Sequence, residues 1–268
     1  MSLNFSKRAL LASSVLLGSA IPSMALDADA FAQQLVKTFA KSGSVMEVGS
    51  ASLDGNNETL SSVKFKAPEQ DFPVGDILFT GVTETGDGGY EAATATMDDI
   101  DATTRELRFQ LSGIEITNIK IPAGEEMASV SDMFLYERFK TGPLTATVKN
   151  VEVFKFSGSD FTVDIADQSE MGFTGSVDGI AIDLSLVDDR RARQTIESMG
   201  YNVLTGDMKM AGAWEVEAGR INMPEMALTL NDVGRLNTSL DISGYTMEFL
   251  QELQTLQSEM IGKENDPK

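Results

Sequence analysis

Ile180-Ala181-Ile182-Asp183-Leu184-Ser185-Leu186 alternates large apolar side chains with small or polar ones without a break. Successive side chains of a strand point to opposite faces, so this run makes one face apolar and leaves the other wet. Phe161, Val163 and Ile165 do the same against Thr162 and Asp164, and Met226, Leu228 and Leu230 against Ala227, Thr229 and Asn231. Half-wet strands favour an antiparallel sheet, because parallel strands are covered on both faces. Working outward, strand patterns are expected at 45–53 and 60–66 around the turn Asp54-Gly55-Asn56-Asn57. More are expected at 76–83, 90–97, 105–111 and 114–121.

Helical spacing interrupts these runs four times. Ala28, Phe31, Leu35 and Phe39 share a face over residues 27–42, with Asp27 as N-cap and Gly43 as the stop. Met127, Val130 and Phe134 predict a helix over 125–139; Ala192, Ile196 and Met199 predict one over 188–199. Phe249, Leu253, Leu256 and Met260 predict the last, over 247–261. The expected fold class is therefore α+β: a strand-dominated antiparallel sheet of about a dozen strands, with about four helices packed on its apolar face.

A short phrase recurs: Met97-Asp98-Asp99-Ile100, Leu111-Ser112-Gly113-Ile114, Val148-Lys149-Asn150-Val151, Val177-Asp178-Gly179-Ile180 and Leu230-Asn231-Asp232-Val233. Each reads as a bend with turn residues in its middle. Thr141-Gly142 and Thr205-Gly206 each open a run of strands after a predicted helix. This suggests a duplicated helix-plus-strands unit, with repeats at 124–186 and 187–245. No linker tract divides residues 26–261, which read as one β-rich domain; 262–268 reads as a polar, disordered tail.

The N-terminus has the order of a secretory signal. Lys7 and Arg8 precede the apolar run 9–21, Pro22 breaks it, and Ser23-Met24-Ala25 offers small residues for cleavage after Ala25. Residues 1–25 hold no acid, so the remaining chain carries 19 basic against 41 acidic side chains, a net charge of −22. The expected location is the periplasm, with no stable membrane insertion after cleavage.

The chain has no cysteine and no histidine. That excludes thiol and imidazole catalysis, disulfides, thiolate metal sites and a lipidated cysteine. Its acidity argues against a nucleic-acid partner. Ser61-Ser62-Val63-Lys64 and Lys140-Thr141-Gly142 match two penicillin-binding motifs, but the first falls in a strand pattern, the second at a helix end, and the third motif is missing. Asp98, Asp99 and Asp101, and separately Asp54, Asn56 and Glu58, form acidic turns without the spacing of a calcium loop. No cofactor is expected.

In the second half, Met199-Gly200-Tyr201, Trp214-Glu215-Val216, Asn231-Asp232-Val233-Gly234-Arg235-Leu236 and Leu240-Asp241-Ile242-Ser243-Gly244 follow one another between strands. Over residues 187–261 this pattern resembles the AsmA-like and related uncharacterised β-repeat envelope proteins of Gram-negative bacteria. The resemblance implies a twisted antiparallel sheet with helices on its concave apolar side, and a role in the cell envelope. The long bridge-like AsmA proteins also carry a membrane anchor and many more strands. The residues themselves point to a non-enzymatic protein that uses the apolar side of its sheet, either as an interaction module for an envelope partner or as a binder of a hydrophobic ligand such as a lipid. The expected ligand face is Met208, Met210, Trp214, Met226 and Leu228, with Phe249 and Leu253 from the last helix. The rival expectation is a carboxylate-based periplasmic hydrolase, which needs two acids facing each other across a cleft.

Overall fold

The computed structural model describes residues 26–264 except 42, 67–70, 105, 125–127, 167, 185–190, 192, 193, 196, 197, 199 and 201. The expected signal segment and residues 265–268 lie outside the described residues. Among the described residues seventeen strands form one sheet, and every strand pairing within it is antiparallel.

The chain lays this sheet down in order. β1 (Val45–Glu47) and β2 (Ser50–Asp54) pair end to end along β3 (Asn57–Lys66). β4 (Phe72–Thr80) lies on β3, and with β5 (Thr83–Glu84) it meets β6 (Tyr90–Met97). The next passes are bent. β6 continues into β7 (Ile100–Thr104), β8 (Leu107–Leu111) into β9 (Glu115–Ile121), β10 (Arg138–Thr141) into β11 (Leu144–Val148), and β12 (Val151–Phe156) into β13 (Gly158–Val163). On one side of the bends the row is β6–β9–β10–β13; on the other it is β7–β8–β11–β12. Both rows end on the long β14 (Glu170–Asp183), which takes β13 along one half and β12 along the other. β15 (Val203–Glu215), β16 (Arg220–Leu230) and β17 (Gly234–Ile242) complete the meander.

The bends line up as a crease across the sheet. Backbone bonds run over it from Asp98 N to Asp76 O, from Met97 N to Ile114 O, from Gly142 N to Ser112 O and from Ser157 N to Asp178 O. A bend breaks the regular ladder and leaves backbone N–H groups without strand partners. Aspartates take up this role: the Asp98 carboxylate accepts from Asp76 N at 3.0 Å, and Asp207 accepts from Gly179 N at 2.8 Å. Gly113 and Gly179 turn the crease at φ +63° and +64°, where a β-carbon is disfavoured. Three of the recurring phrases, at 97–100, 111–114 and 177–180, are crease positions. The other two, at 148–151 and 230–233, are the β11–β12 and β16–β17 hairpin turns, with Lys149, Asn150 and Asp232 at positive φ.

The apolar face curls around a core closed by α1 (Ala28–Lys41). Asp27 Oδ1 accepts the Ala30 N–H, so it caps the first turn, and Gly43 ends the helix at φ +76°. Phe31, Ala32 and Leu35 are buried against Leu60, Val63, Ile77, Phe79, Val82, Tyr90 and Ile119. Phe31 meets Phe79 and Tyr90 edge to face, with centroids 5.0 and 5.2 Å apart.

The α+β expectation with four helices is corrected: the protein is mostly β, with two α-helices among the described residues, α1 and α2 (Met247–Glu264). The helix expected at 125–139 is a single 3-10 turn, Val130–Asp132, followed by extended chain. Its helix-like apolar spacing has another cause. Val130 packs into a cluster with Leu135, Ile165, Met171 and Val216, whereas the Phe134 ring lies 5.3 Å from Phe39 of α1. One connecting segment thus touches two cores. Asp132 fixes the turn by accepting from the Ser129 N–H and hydroxyl, both at 2.8 Å. The predicted repeat at 124–186 is therefore not opened by a helix. The helix expected at 188–199 falls largely outside the described residues. Among those residues, no helix is long and apolar enough to cross a membrane.

Candidate functional site

Inside the curl the core does not close completely. A cavity of about 270 Å³ remains, lined only by apolar side chains. Leu35 and Phe39 of α1 form its lid; Val74, Ile77 and Phe79 of β4, Ala95 of β6, Ile116 of β9 and Phe139 of β10 form one wall. Ile100 of β7 and Phe109 and Leu111 of β8, across the crease, form the other. Phe72 stacks on Phe109 with centroids 5.4 Å apart and planes 3° apart, joining the walls. An apolar cavity of this kind stays dry and accepts apolar guests.

The same face continues well beyond the cavity. Residues directly opposite each other in an antiparallel pair share a face. Ile116 stands opposite Phe139, Phe139 opposite Phe161, Phe161 opposite Gly175, Gly175 opposite Met210, and Met210 opposite Met226. A second row runs from Phe109 through Ala146, Phe154 and Ile182 to Leu204. Close packing confirms the shared face: a β-carbon on Gly175 would fall 2.4 Å from the Phe161 ring and 3.1 Å from Met210 Cγ. Glycine at 175 is what lets the Phe161 ring lie flat across the strand.

Of the ligand face expected from sequence, Met208, Met210, Met226 and Leu228 are brought together, as the opposed pairs Met208–Leu228 and Met210–Met226. All four are half-buried. Trp214 shares their face but is a packing residue: it joins the cluster around Val130 and Leu135, and its Nε1 donates to Tyr245 O at 2.9 Å. Phe249 packs on Tyr245, whose ring lies 5.6 Å away, and Leu253 is half-buried further along α2. The cavity itself lies in the first half of the chain, which the sequence reading did not select.

The acidic turns serve the fold. Asp101 pairs with Arg108 and also accepts from Gln110, and Asn56 Nδ2 donates to Val82 O at 3.0 Å. Ser61 donates to Asp76, while Lys64 pairs with Glu47 and Asp71, so the S-x-x-K residues lie apart on an exposed surface. Lys140-Thr141-Gly142 belongs to β10 and the crease, where the buried Thr141 hydroxyl meets that of Ser159 at 2.8 Å. Glu58 stands out. It points inward from β3 with no exposed surface, and neither carboxylate oxygen has a hydrogen-bond partner. Burial, reinforced by Asp27 and Asp29 near the start of α1, pushes its pKa up to about 7. Among the described residues no three acids converge to hold a metal ion.

The chain matches no family model, no curated protein and no solved structure.

Proposed function

We propose that this protein is a non-enzymatic binder of a hydrophobic ligand in the bacterial periplasm, and that it holds one acyl chain of a lipid in the cavity beneath α1. The observation that carries the reading is the cavity of about 270 Å³ with no polar side chain in its lining. A fully packed interface between helix and sheet would leave no such room. At about 30 Å³ for each water-sized group, the space takes on the order of nine methylenes. That is a stretch of acyl chain, and too little for a sterol. The half-buried methionines beyond Phe161 give the remainder of such a chain a flexible apolar bed. The periplasmic location rests on the order of features in residues 1–25. The excess of acid, set on turns and outer strand faces, makes an anionic polymer an unfavourable partner.

Native mass spectrometry of protein purified from the periplasm tests the reading. Retained species with the mass of a fatty acid or phospholipid are expected, and delipidated protein is expected to take up a fluorescent fatty acid by contact with its apolar interior. Protein that leaves the periplasm empty and takes up no fatty acid when delipidated removes the proposal.

A further inference from the structure

β17 is the last strand of the sheet, and among the described residues it pairs along one edge only, with β16. All nine of its residues are exposed. Long exposed edges are commonly protected by proline, lysine or a bulge, because their free N–H and C=O groups invite another strand. β17 contains neither proline nor lysine, and the extra residue at the register shift in this pair lies on β16, between Met223 and Met226. Instead Leu236, Leu240 and Ile242 project from it at 62%, 40% and 39% exposure, on the face that carries Met226 and Leu228.

Its sequence is complementary to itself. When two copies of Gly234-Arg235-Leu236-Asn237-Thr238-Ser239-Leu240-Asp241-Ile242 run antiparallel and are centred on Thr238, Leu236 faces Leu240 of the other copy. In that register Arg235 faces Asp241, Asn237 faces Ser239 and Thr238 faces itself. The charges extend the pattern. Within one chain Arg235 pairs with Glu225, and Asp241 pairs with Arg220. Across the seam the order would be Glu225, Arg235, Asp241, Arg220, alternating in sign at each step. Any register displaced by two residues loses both the leucine pairs and the charge pairs.

We propose that two copies of this chain join through β17 about a two-fold axis at Thr238, giving one continuous sheet whose apolar faces lie on the same side. The inference does not depend on the cavity holding a ligand. One strand pair buries less area than a stable dimer usually needs, so the association is weak, with a dissociation constant on the order of micromolar.

The absence of cysteine makes the test clean. Opposed residues of an antiparallel pair have Cα atoms about 4.5–5.5 Å apart, which suits a disulfide. Thr238→Cys alone is expected to give a covalent dimer on mild oxidation. Leu236→Cys and Leu240→Cys are each expected to stay monomeric alone, and to link when the two proteins are mixed. Sedimentation of the unmodified protein over a concentration series is expected to show reversible dimerisation that Leu236→Lys weakens at least tenfold. A monomer throughout the series overturns the proposal, and so does linkage of Leu236→Cys to itself while Thr238→Cys stays unlinked.

Discussion

Replacing Glu58 by glutamine should cost less stability in mildly basic than in mildly acidic solution. The folded chain holds this carboxyl protonated up to about pH 7, whereas the unfolded chain releases the proton near its ordinary value of 4.5. Between those two points the folded state binds more protons than the unfolded state, so stability falls as pH rises. Below pH 4.5 the contribution is fully present, and above about pH 7 it has been lost. At about 1.4 kcal/mol per unit, the loss is about 3 kcal/mol in all, of which about 2 kcal/mol falls between pH 5 and pH 7. The glutamine variant cannot ionise at this position and has no such slope. It does bury an unpartnered amide, which costs about 1–3 kcal/mol at every pH. The informative quantity is thus the gap between the two proteins at pH 8 minus the gap at pH 5, expected to favour the variant by about 2 kcal/mol. Urea unfolding followed by circular dichroism measures it. Asp71, Asp101, Asp160 and Asp241, held below the ordinary carboxylate range by hydrogen bonds from Lys66, Arg108, Arg138 and Arg220, titrate outside this window. If the gap is the same at both pH values, Glu58 is ionised in the folded protein and the reasoning fails.

Ala95→Leu places extra methyl groups into the cavity from a fully buried position; stability should change by less than about 1.5 kcal/mol, while fatty-acid uptake in a fluorescence titration falls at least tenfold. Gly179→Ala forces a β-carbon into the crease at φ +64° and to within 1.9 Å of Ser157 Oγ, and should lower unfolding stability by about 1–2 kcal/mol in a urea titration. Arg138→Ala removes an ion pair with Asp160 that leaves 45% and 34% of the two side chains exposed. Its cost should stay below about 1 kcal/mol and shrink further in high salt, as thermal unfolding at two ionic strengths will show.

Strand identity was legible wherever one face stays wet. Residues 161–163, 180–183 and 226–230 alternate because their outer sides meet water, and each lies in a strand in register with its neighbour. The same logic brought Met208, Met210, Met226 and Leu228 onto one face. It failed where a residue obeys two environments at once. Val130 and Phe134 carry helical spacing because a connecting loop touches two separate clusters. Glu58 reads as a turn acid beside Asn56, yet it has the parity of the buried Leu60 and points inward with it. The cavity was illegible for a different reason: its walls are separate strands and a helix, and its emptiness depends on how tightly the crease closes them.

Because each pass of the meander pairs only with the pass before and the pass after it, the sheet is assembled from short-range contacts. Such a chain can zip up hairpin by hairpin from any starting point, and loop closure then slows it less than it slows sheets with distant crossovers. The arrangement also tolerates growth. One more hairpin beyond β17, or one fewer, lengthens or shortens the sheet by a fixed increment and leaves every other pairing intact, as in modular repeat arrays. The span of the apolar bed is then a quantity that evolution can change by simple addition.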